Sequence, residues 1–288
     1  MPELPEVETY RRYFEATSLD QTLLGIDVAD HKLLTTDYGT LTQSLIGSRF
    51  VRTHRIGKHL FITTDRGQVM VMHFGMSGGL AYFRDQEDTP RFARIVFHFA
   101  GGFRLGFLCP RKFERIGLVD SIEGYALAKG LGVDALEVSV ENLMAKLSGK
   151  KAMVKPLLLD QATVAGIGNW IVDEVLFQAK VHPETRGYQL TEADIRRIHA
   201  AIGVVLQTAI HHEAAYGRFP TDFLIHAREW DDSPYADQRA HTRCPRCGND
   251  LRVIRVGGRA TYFCPVCQPA VAREAAEPVK ANRAQAAG

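Results

Sequence analysis

The sequence predicts an α+β protein in which an N-terminal helix and an antiparallel β-sandwich precede a helical domain and a C-terminal β-hairpin zinc finger. Three observations predict this fold class: helical apolar spacing at the N-terminus, short β-rich runs over residues 23–119, and two Cys-x-x-Cys pairs near the C-terminus. The length of 288 residues is enough for two domains of ordinary size, each with its own core.

The N-terminal part changes its apolar period near residue 20. Leu4, Val7, Tyr10 and Phe14 recur at spacings of three and four, which predicts a helix over residues 3–18. Short β-rich runs follow, separated by glycine turns and without interposed helices, which is typical of an antiparallel sandwich or barrel. These runs are 49–56, 60–64, 69–74, 94–99 and 103–108.

Helical patterns return after about residue 130, with Thr191 as an N-cap of the last helix. The predicted helices are 140–147, 153–159, 170–179 and 192–212. We therefore expect a sandwich domain with its helix, a helical domain, a zinc finger and a disordered tail. Their bounds are 2–125, 136–225, 239–268 and 269–288.

The composition excludes a mostly disordered chain, a collagen-like chain and a small disulfide scaffold, since 45% of residues are hydrophobic and 24% are charged. No apolar run approaches the roughly 20 residues that span a bilayer. The acidic N-terminus also lacks the layout of a secretory signal. We therefore expect a cytoplasmic protein with no membrane partner. Because the net charge is only +2, a nucleic-acid partner must be inferred from where the charges lie.

The cysteines near the C-terminus predict one structural Zn²⁺. Cys244 and Cys247 form one Cys-x-x-Cys pair and Cys264 and Cys267 the other, and a two-residue gap lets one turn present two thiolates. Four cysteines close the metal's coordination shell, which favours a structural ion over a catalytic one. Two unrelated cysteine pairs are the alternative.

The segment between the cysteine pairs is basic. It alternates around Gly257-Gly258, which predicts a β-hairpin with Arg259 near its tip. Residues 239–267 hold Asp250 as their one acid against six arginines, at positions 239, 243, 246, 252, 255 and 259. Such a hairpin suits a phosphate backbone or a groove. A solvated basic surface is the alternative interpretation.

Gly166-Ile-Gly168 opens a predicted helix, and such a turn exposes backbone N–H groups at the positive helix end. Asn169 adds a side-chain donor. The turn is therefore a candidate phosphate site, although glycines at these positions are equally expected where a helix packs tightly.

The N-terminus is a candidate nucleophile. Small Pro2 follows Met1, so we expect Met1 to be removed and Pro2 to become a free secondary amine. An α-amino group has a reference pKa near 8, so roughly a tenth of it is neutral at pH 7. Glu3 and Glu6 lie one helical turn apart beside it, and Glu3 is a candidate proton donor or acceptor. The alternative is a trimmed terminus whose proline and acids serve only to start a helix.

Six motifs occur together in one order. They are Pro2–Thr9 (PELPEVET), Ile56-Gly-Lys58-His-Leu60, His73-Phe-Gly-Met76-Ser-Gly78, Pro110-Arg-Lys-Phe113, Gly166-Ile-Gly-Asn169 and the cysteine hairpin. Together they closely resemble the formamidopyrimidine-DNA glycosylase / endonuclease VIII family of bifunctional DNA-repair enzymes, over about residues 2–268. The resemblance implies a helix-two-turn-helix second domain and duplex DNA bound in the cleft between domains.

The resemblance also implies roles for single residues. Pro2 matches the Schiff-base nucleophile that attacks C1′ of the damaged nucleotide, Glu3 the acid that protonates the opening sugar, and Glu6 a supporting carboxylate. Lys58 and Asn169, with Arg259, match a phosphate clamp around an everted nucleotide. Lys58 also lies in a basic run, where an exposed strand edge is the simpler interpretation.

A second set of residues matches the family's void-filling group. Met76, Arg111 and Phe113 are expected to fill the hole left by the extruded nucleotide and to bond its orphaned partner base. Met76 and Phe113 as ordinary core residues are the alternative. Lys155 corresponds to a position near the lesion-facing side, with a solvated helix lysine as the alternative.

Having all three void-filling positions occupied favours the formamidopyrimidine branch. We therefore expect a monomeric glycosylase/AP lyase that removes oxidised purines, such as 8-oxoguanine and formamidopyrimidines, and nicks the strand by β,δ-elimination. The alternatives are oxidised pyrimidines or hydantoins as substrates, or lesion binding without turnover. Two departures bear on lesion choice: Glu114 is expected to put a negative charge beside the DNA, and residues 223–242 differ from the usual lesion-capping loop.

Overall fold

The structure is a computed structural model that describes residues 1–84, 88–228 and 243–271. Its helices are α1 (Leu4–Ser18), α2 (Tyr38–Leu45), α3 (Ile122–Ala128), α4 (Val140–Leu147), α5 (Val154–Leu159), α6 (Asn169–Ala179) and α7 (Glu192–His211). Its strands are β1 (Leu23–Val28), β2 (Phe50–Ile56), β3 (His59–Thr64), β4 (Val69–His73), β5 (Gly79–Phe83), β6 (Ala93–Phe99), β7 (Arg104–Leu108), β8 (Arg115–Val119), β9 (Arg252–Val256) and β10 (Arg259–Phe263).

The first eight strands form two antiparallel four-stranded sheets. One sheet has the order β1-β6-β7-β5 and the other β2-β3-β4-β8. Side chains of both sheets and of α1 meet in one core that includes Phe14, Leu60, Met72 and Phe97. The predicted helix and β-sandwich are therefore confirmed.

The strands were expected to follow one another without helices, but α2 lies between two of them and α3 follows the last strand of the sandwich. Helix α2 lies between β1 and β2, where Asp37 accepts a hydrogen bond from the Thr40 N–H and so caps the first turn. Helix α3 supplies Ile122 and Tyr125, which pack on Phe61 at the outer face of the second sheet. Because both faces of β3 are covered, this strand lacks the polar alternation that marks a solvated sheet. The expected domain boundary at residue 125 falls inside α3.

Helix α1 belongs to two cores at once. Val7 and Phe14 pack in the sandwich core, whereas Leu4 packs in the core of the second domain. The Leu4 N–H also donates to the Gly166 carbonyl oxygen at 3.2 Å. The first residues of the chain are therefore fixed at the junction of the two domains.

The second domain packs α4, α5 and α7 around α6. Nearly all side chains of α6 are buried, which makes it the central helix of this domain. Helix α7 begins at Thr191, whose hydroxyl accepts from the Asp194 N–H at 3.1 Å, as expected of its N-cap. The predicted helices are confirmed to within one residue at each end.

Strands β9 and β10 form the predicted hairpin, with Gly257 and Gly258 at φ of +57° and +76° in its turn. Both values suit a type I′ turn. The hairpin packs on the second domain through Phe177 of α6 and Leu224. The parts of the expected zinc finger, loop and tail at residues 229–242 and 272–288 lie outside the described residues. In the described part of the chain, no helix is long and apolar enough to cross a membrane.

Candidate active site

A cavity of about 270 Å³ lies at the junction of the sandwich, the second domain and the hairpin. Lys58, Asn169 and Arg259, the three residues of the expected phosphate clamp, all line it. Met1 lies at the same cavity and is 53% exposed. The structure therefore brings the N-terminus and the clamp residues, which are up to 258 positions apart in sequence, to one place.

The start of α6 holds the Glu3 carboxylate. Its two oxygens accept hydrogen bonds from the backbone N–H groups of Trp170 at 3.1 Å and Ile171 at 3.3 Å. A Cβ atom on Gly168 would lie 2.1 Å from the Glu3 carboxyl carbon, so only glycine permits this approach. The backbone N–H groups that the sequence marks as a candidate phosphate site therefore bind a carboxylate of the protein itself. Gly168, the second glycine of this turn, lets Glu3 pack closely against the start of α6.

Glu3 is an acid that can keep its proton near neutral pH. Only 3% of the residue is exposed, and this burial raises the pKa of Glu3 to about 7. The charge of Lys58 opposes the rise, and that of Glu6 adds to it. A carboxyl with this pKa is suited to general acid catalysis at physiological pH.

Glu6 is held by three donors. Its Oε2 accepts from the Glu3 backbone N–H at 3.0 Å, and its Oε1 accepts from the Trp170 indole N–H at 3.1 Å. The Tyr216 hydroxyl also donates to Oε1. Glu6 thus connects the first turn of α1 to α6 and to the segment that follows α7.

Lys58 lies in the turn between β2 and β3, which enters the domain junction. Gly57, at φ +56°, approaches so closely that a Cβ there would lie 3.0 Å from the Gly166 nitrogen. The Asp134 carboxylate fixes this turn, because it accepts from the Gly57 N–H at 2.7 Å and from Arg55 at 2.6 Å. Lys58 is only 8% exposed, and burial lowers its pKa although Glu3 and Glu6 oppose this. The simpler interpretation of Lys58, an exposed basic strand edge, does not describe its position.

Asn169 and Arg259 reach the cavity from the second domain and the hairpin. The Asn169 side-chain amide donates to the Ala260 carbonyl oxygen at 3.1 Å, so it contacts the residue next to Arg259. Arg259 itself is exposed. Its guanidinium can therefore meet an anionic ligand that enters the cavity.

Met76, Arg111 and Phe113 lie together on two adjoining turns. A Cβ on Gly75 would lie 2.7 Å from the Phe113 carbonyl carbon, so the glycine lets the two turns touch. Met76 is 40% and Phe113 52% exposed, and the Arg111 guanidinium lies 5.6 Å from the centre of the Phe113 ring. These apolar side chains face outward and are not core residues.

Lys155 is not among the residues that line the cavity, but it binds the same Ala260 carbonyl oxygen as Asn169. It is completely buried, and its ammonium donates to Asp173 at 2.7 Å, to the Thr261 hydroxyl at 2.8 Å and to the Ala260 carbonyl at 3.0 Å. Arg228 shares Asp173, to which it donates at 2.9 Å. Lys155 is not a solvated helix lysine: burial pairs it with an acid, and its bonds hold the hairpin against α6.

Glu114 also differs from expectation. The residue is completely buried, and its carboxylate accepts from the Ser77 hydroxyl at 3.4 Å. Gly78 makes room for it, because a Cβ there would lie 2.7 Å from the Glu114 Cγ. The side chain therefore turns inward beneath the Met76 turn and does not place its charge at the surface.

The four cysteines near the C-terminus fit one zinc ion. Their sulfur atoms all lie within 4.8 Å of one another, with Cys244 and Cys267 at 3.8 Å and Cys247 and Cys264 at 3.5 Å. Tetrahedral Zn–S bonds of about 2.3 Å place the sulfurs about 3.8 Å apart. The set has no carboxylate or imidazole and fills a four-coordinate shell, so the ion is structural.

Three known domain families match successive parts of the chain. "Formamidopyrimidine-DNA glycosylase N-terminal domain" matches residues 1–116, "Formamidopyrimidine-DNA glycosylase H2TH domain" matches 131–220, and "Zinc finger found in FPG and IleRS" matches 243–270. The chain belongs to the formamidopyrimidine-DNA glycosylase family. It is therefore a DNA glycosylase of base excision repair, and the resemblance found in its motifs is confirmed.

Relatives match along nearly their whole length. The formamidopyrimidine-DNA glycosylase of Pelotomaculum thermopropionicum is 34% identical over 273 residues, which cover 93% of this chain and 99% of the relative. That of Streptococcus thermophilus is 35% identical over 276 residues, with the same two shares. The Lactococcus lactis formamidopyrimidine-DNA glycosylase, solved with DNA containing an AP site, has a TM-score of 0.80 and 31% identity, covering 93% of this chain and 100% of that one.

Several residues of the junction were not predicted. Trp170 and Tyr216 bind Glu6, and Asp134 fixes the Lys58 turn. His59 and His73 line the cavity, with ring centres 4.9 Å apart. No local pattern marks Trp170, Tyr216 or Asp134, because each acts on residues far away in sequence. His59 and His73 lie inside two of the motifs, but the sequence assigned them no role. The close contact between the Gly57 turn and the Gly166 turn is the feature that shows these segments meeting.

Proposed function

We propose that this glycosylase removes oxidised purines, such as 8-oxoguanine and formamidopyrimidines, from duplex DNA and then nicks the strand as an AP lyase by β,δ-elimination. The observation that carries this proposal is the position of Glu3, a protonatable acid fixed beside the N-terminal residues at the cavity. Further support comes from a relative, since the Lactococcus lactis enzyme has been solved with DNA that contains a formamidopyrimidine lesion.

Pro2 is the nucleophile in this proposal. Removal of Met1 turns its ring nitrogen into a secondary amine whose lone pair attacks C1′ of the damaged nucleotide, and the base leaves with the proton that the amine gives up. Glu3 gives its proton to the sugar ring oxygen in the same step, so the ring opens as the base departs and an iminium cation forms at C1′. The iminium withdraws electrons, so C2′ loses a proton to solvent and the 3′ phosphate leaves. In the second elimination C4′ loses a proton to solvent and the 5′ phosphate leaves.

The surrounding residues hold the DNA. Lys58, Asn169 and Arg259 bind the phosphates that flank the everted nucleotide, which must leave the stack because its C1′ is inaccessible inside the duplex. Met76 and Phe113 fill the gap in the stack, and Arg111 bonds the partner base. The exposure of these apolar side chains on adjoining turns supports this role.

The four cysteines hold the zinc ion, which stabilises the hairpin fold and thereby the place of Arg259. We propose that the three parts of the chain act as domains 2–125, 136–225 and 239–268. The enzyme works as a monomer on nucleoid DNA in the cytoplasm.

Borohydride trapping tests the proposal. Mature protein should form a covalent adduct with a duplex that carries an abasic site, and Pro2→Gly should lower both base excision and strand cleavage about a hundred-fold while duplex affinity stays within about two-fold. A wild-type protein that binds the duplex but forms no adduct would show lesion binding without turnover. A panel of duplexes with single oxidised bases distinguishes purine from pyrimidine lesions.

A further inference from the structure

We propose that Tyr216 and Trp170 are positioning residues that hold the Glu6 carboxylate and, through it, the N-terminal segment that carries the nucleophile. This inference rests on the proposed function of Pro2 and Glu3. It assigns a role in catalysis to two aromatic side chains of the second domain.

The Glu6 carboxylate has both oxygens engaged, and two of its three donors come from the second domain. The Trp170 indole N–H and the Tyr216 hydroxyl both donate to Oε1. The remaining oxygen, Oε2, accepts from the Glu3 backbone N–H at 3.0 Å. The two aromatic donors therefore fix the rotation of the carboxylate, and so decide where Oε2 lies.

The Glu3 N–H belongs to the peptide unit that joins Pro2 to Glu3. A fixed Oε2 therefore fixes that peptide plane, and with it the position of the Pro2 Cα atom from which the ring nitrogen extends. Trp170 acts on the other side of the same residue, since its backbone N–H donates to the Glu3 carboxylate at 3.1 Å. Trp170 thus binds both Glu3 and Glu6. The Pro2 amine and its proton donor Glu3 are therefore positioned by the same residue.

Tyr216 is suited to a permanent donor role. Burial, together with the neighbouring Glu6 charge, raises the pKa of Tyr216 well above its usual range, so the phenol keeps its proton. Its ring packs edge-on against Trp170, with centres 5.5 Å apart, and against Phe219 at 5.6 Å. This packing holds the ring even when the hydroxyl is removed.

The substitution Tyr216→Phe isolates the hydroxyl. We expect the single-turnover rate of borohydride trapping on an abasic duplex to fall roughly ten-fold, as for the loss of one charge-assisted hydrogen bond at a reacting group. The dissociation constant for a duplex with a tetrahydrofuran site should stay within about two-fold, because neither aromatic residue lines the cavity. Tyr188→Phe is the matched control, since Tyr188 is 58% exposed in the same domain and should keep the wild-type rate.

A double-mutant cycle tests whether Tyr216 acts through Glu6. In a Glu6→Gln background the further change Tyr216→Phe should lower the rate by less than about two-fold, because the contact is already altered. A full ten-fold loss in that background, or a Tyr216→Phe rate equal to that of Tyr188→Phe, would overturn the inference. Parallel losses of rate, duplex affinity and melting temperature would also overturn it, since they indicate a merely structural role. Wild-type protein that forms no adduct would instead overturn the proposed function itself.

Discussion

The acid cluster of Glu3 and Glu6 at the start of α6 and the two turns with Met76 and Phe113 are built in opposite ways, although the proposed function assigns both to the same DNA. Glu3 is 3% exposed, and both its carboxylate oxygens bind backbone donors. Phe113, by contrast, is 52% exposed on a turn. The acid cluster is preorganised without a ligand, whereas the turns expose apolar surface that, in the proposed function, is buried only when DNA binds.

This difference matches the two tasks. Chemistry needs groups whose position and proton are set in advance, since a displacement of about 1 Å can cost a hundred-fold in rate. Filling a gap in a base stack needs exposed apolar area that becomes buried on binding. Mutations in the first region should therefore change rates, and mutations in the second should change binding and base preference.

The largest effect is expected at Glu3. Glu3→Gln keeps the size of the side chain but removes the proton donor, so base excision should fall about a thousand-fold. Single-turnover kinetics on an 8-oxoguanine duplex measure this, with Asp250→Asn, an exposed acid of the hairpin, as the control. If Glu3→Gln instead lowers duplex affinity and leaves the excision rate unchanged, Glu3 is a binding residue and the contrast between the two regions is wrong.

The acid cluster should also set the pH dependence. The pKa of Glu3 is raised to about 7, so the proton is present below that pH and lost above it. Because the neutral form of the Pro2 amine, with a reference pKa near 8, increases over the same range, we expect kcat/KM for base excision to stay nearly level between about pH 7 and 8. Above about pH 8 it should fall up to ten-fold per unit. Burial also raises the pKa of Glu174 to about 7, yet Glu174→Gln should keep the fall. In the described part of the chain its carboxylate accepts hydrogen bonds from Gln178 and from the Leu224 and Ile225 N–H groups, away from the N-terminus.

A smaller effect, on specificity, is expected at the turns. Arg111→Ala should reduce discrimination between partner bases by about 1–3 kcal/mol while excision from the preferred duplex keeps its rate within about ten-fold. Competition between duplexes that differ only in the base opposite the lesion measures this. The control is Lys112→Ala, whose ammonium is paired with Asp30 at 2.8 Å. Unchanged discrimination would separate Arg111 from the partner base.

The smallest effect is expected at the hairpin tip. Arg259→Ala should reduce the slope of log affinity against log salt by about 0.9, the contribution of one phosphate contact. Arg252→Ala, at the far end of the same hairpin, should leave the slope unchanged. Equal slopes for both variants would show that Arg259 contributes only general positive charge.

Much of the fold follows from local pattern. The N-terminal helix, most strands, the helices of the second domain and the glycine hairpin were predicted because apolar period and turn residues act over a few positions. Helix α2 was missed because its eight residues carry only Leu41 and Leu45 as buried positions. Helix α3 was missed because none of its residues is buried, so its sequence lacks a clear stripe of apolar side chains at helical spacing.

By itself, the sequence determined the order of the elements, the zinc ligands and, through ordered motifs, the family and its candidate residues. Only the tertiary structure decided what surrounds them. Lys155 and Glu114 are buried, the Glu3 carboxylate binds backbone N–H groups at the start of α6, and Trp170 and Tyr216 donate to Glu6. The physical reason is range: propensity and metal spacing act between neighbours in the chain, whereas burial, proton affinity and hydrogen bonding are set by residues that meet only when both domains close on α1.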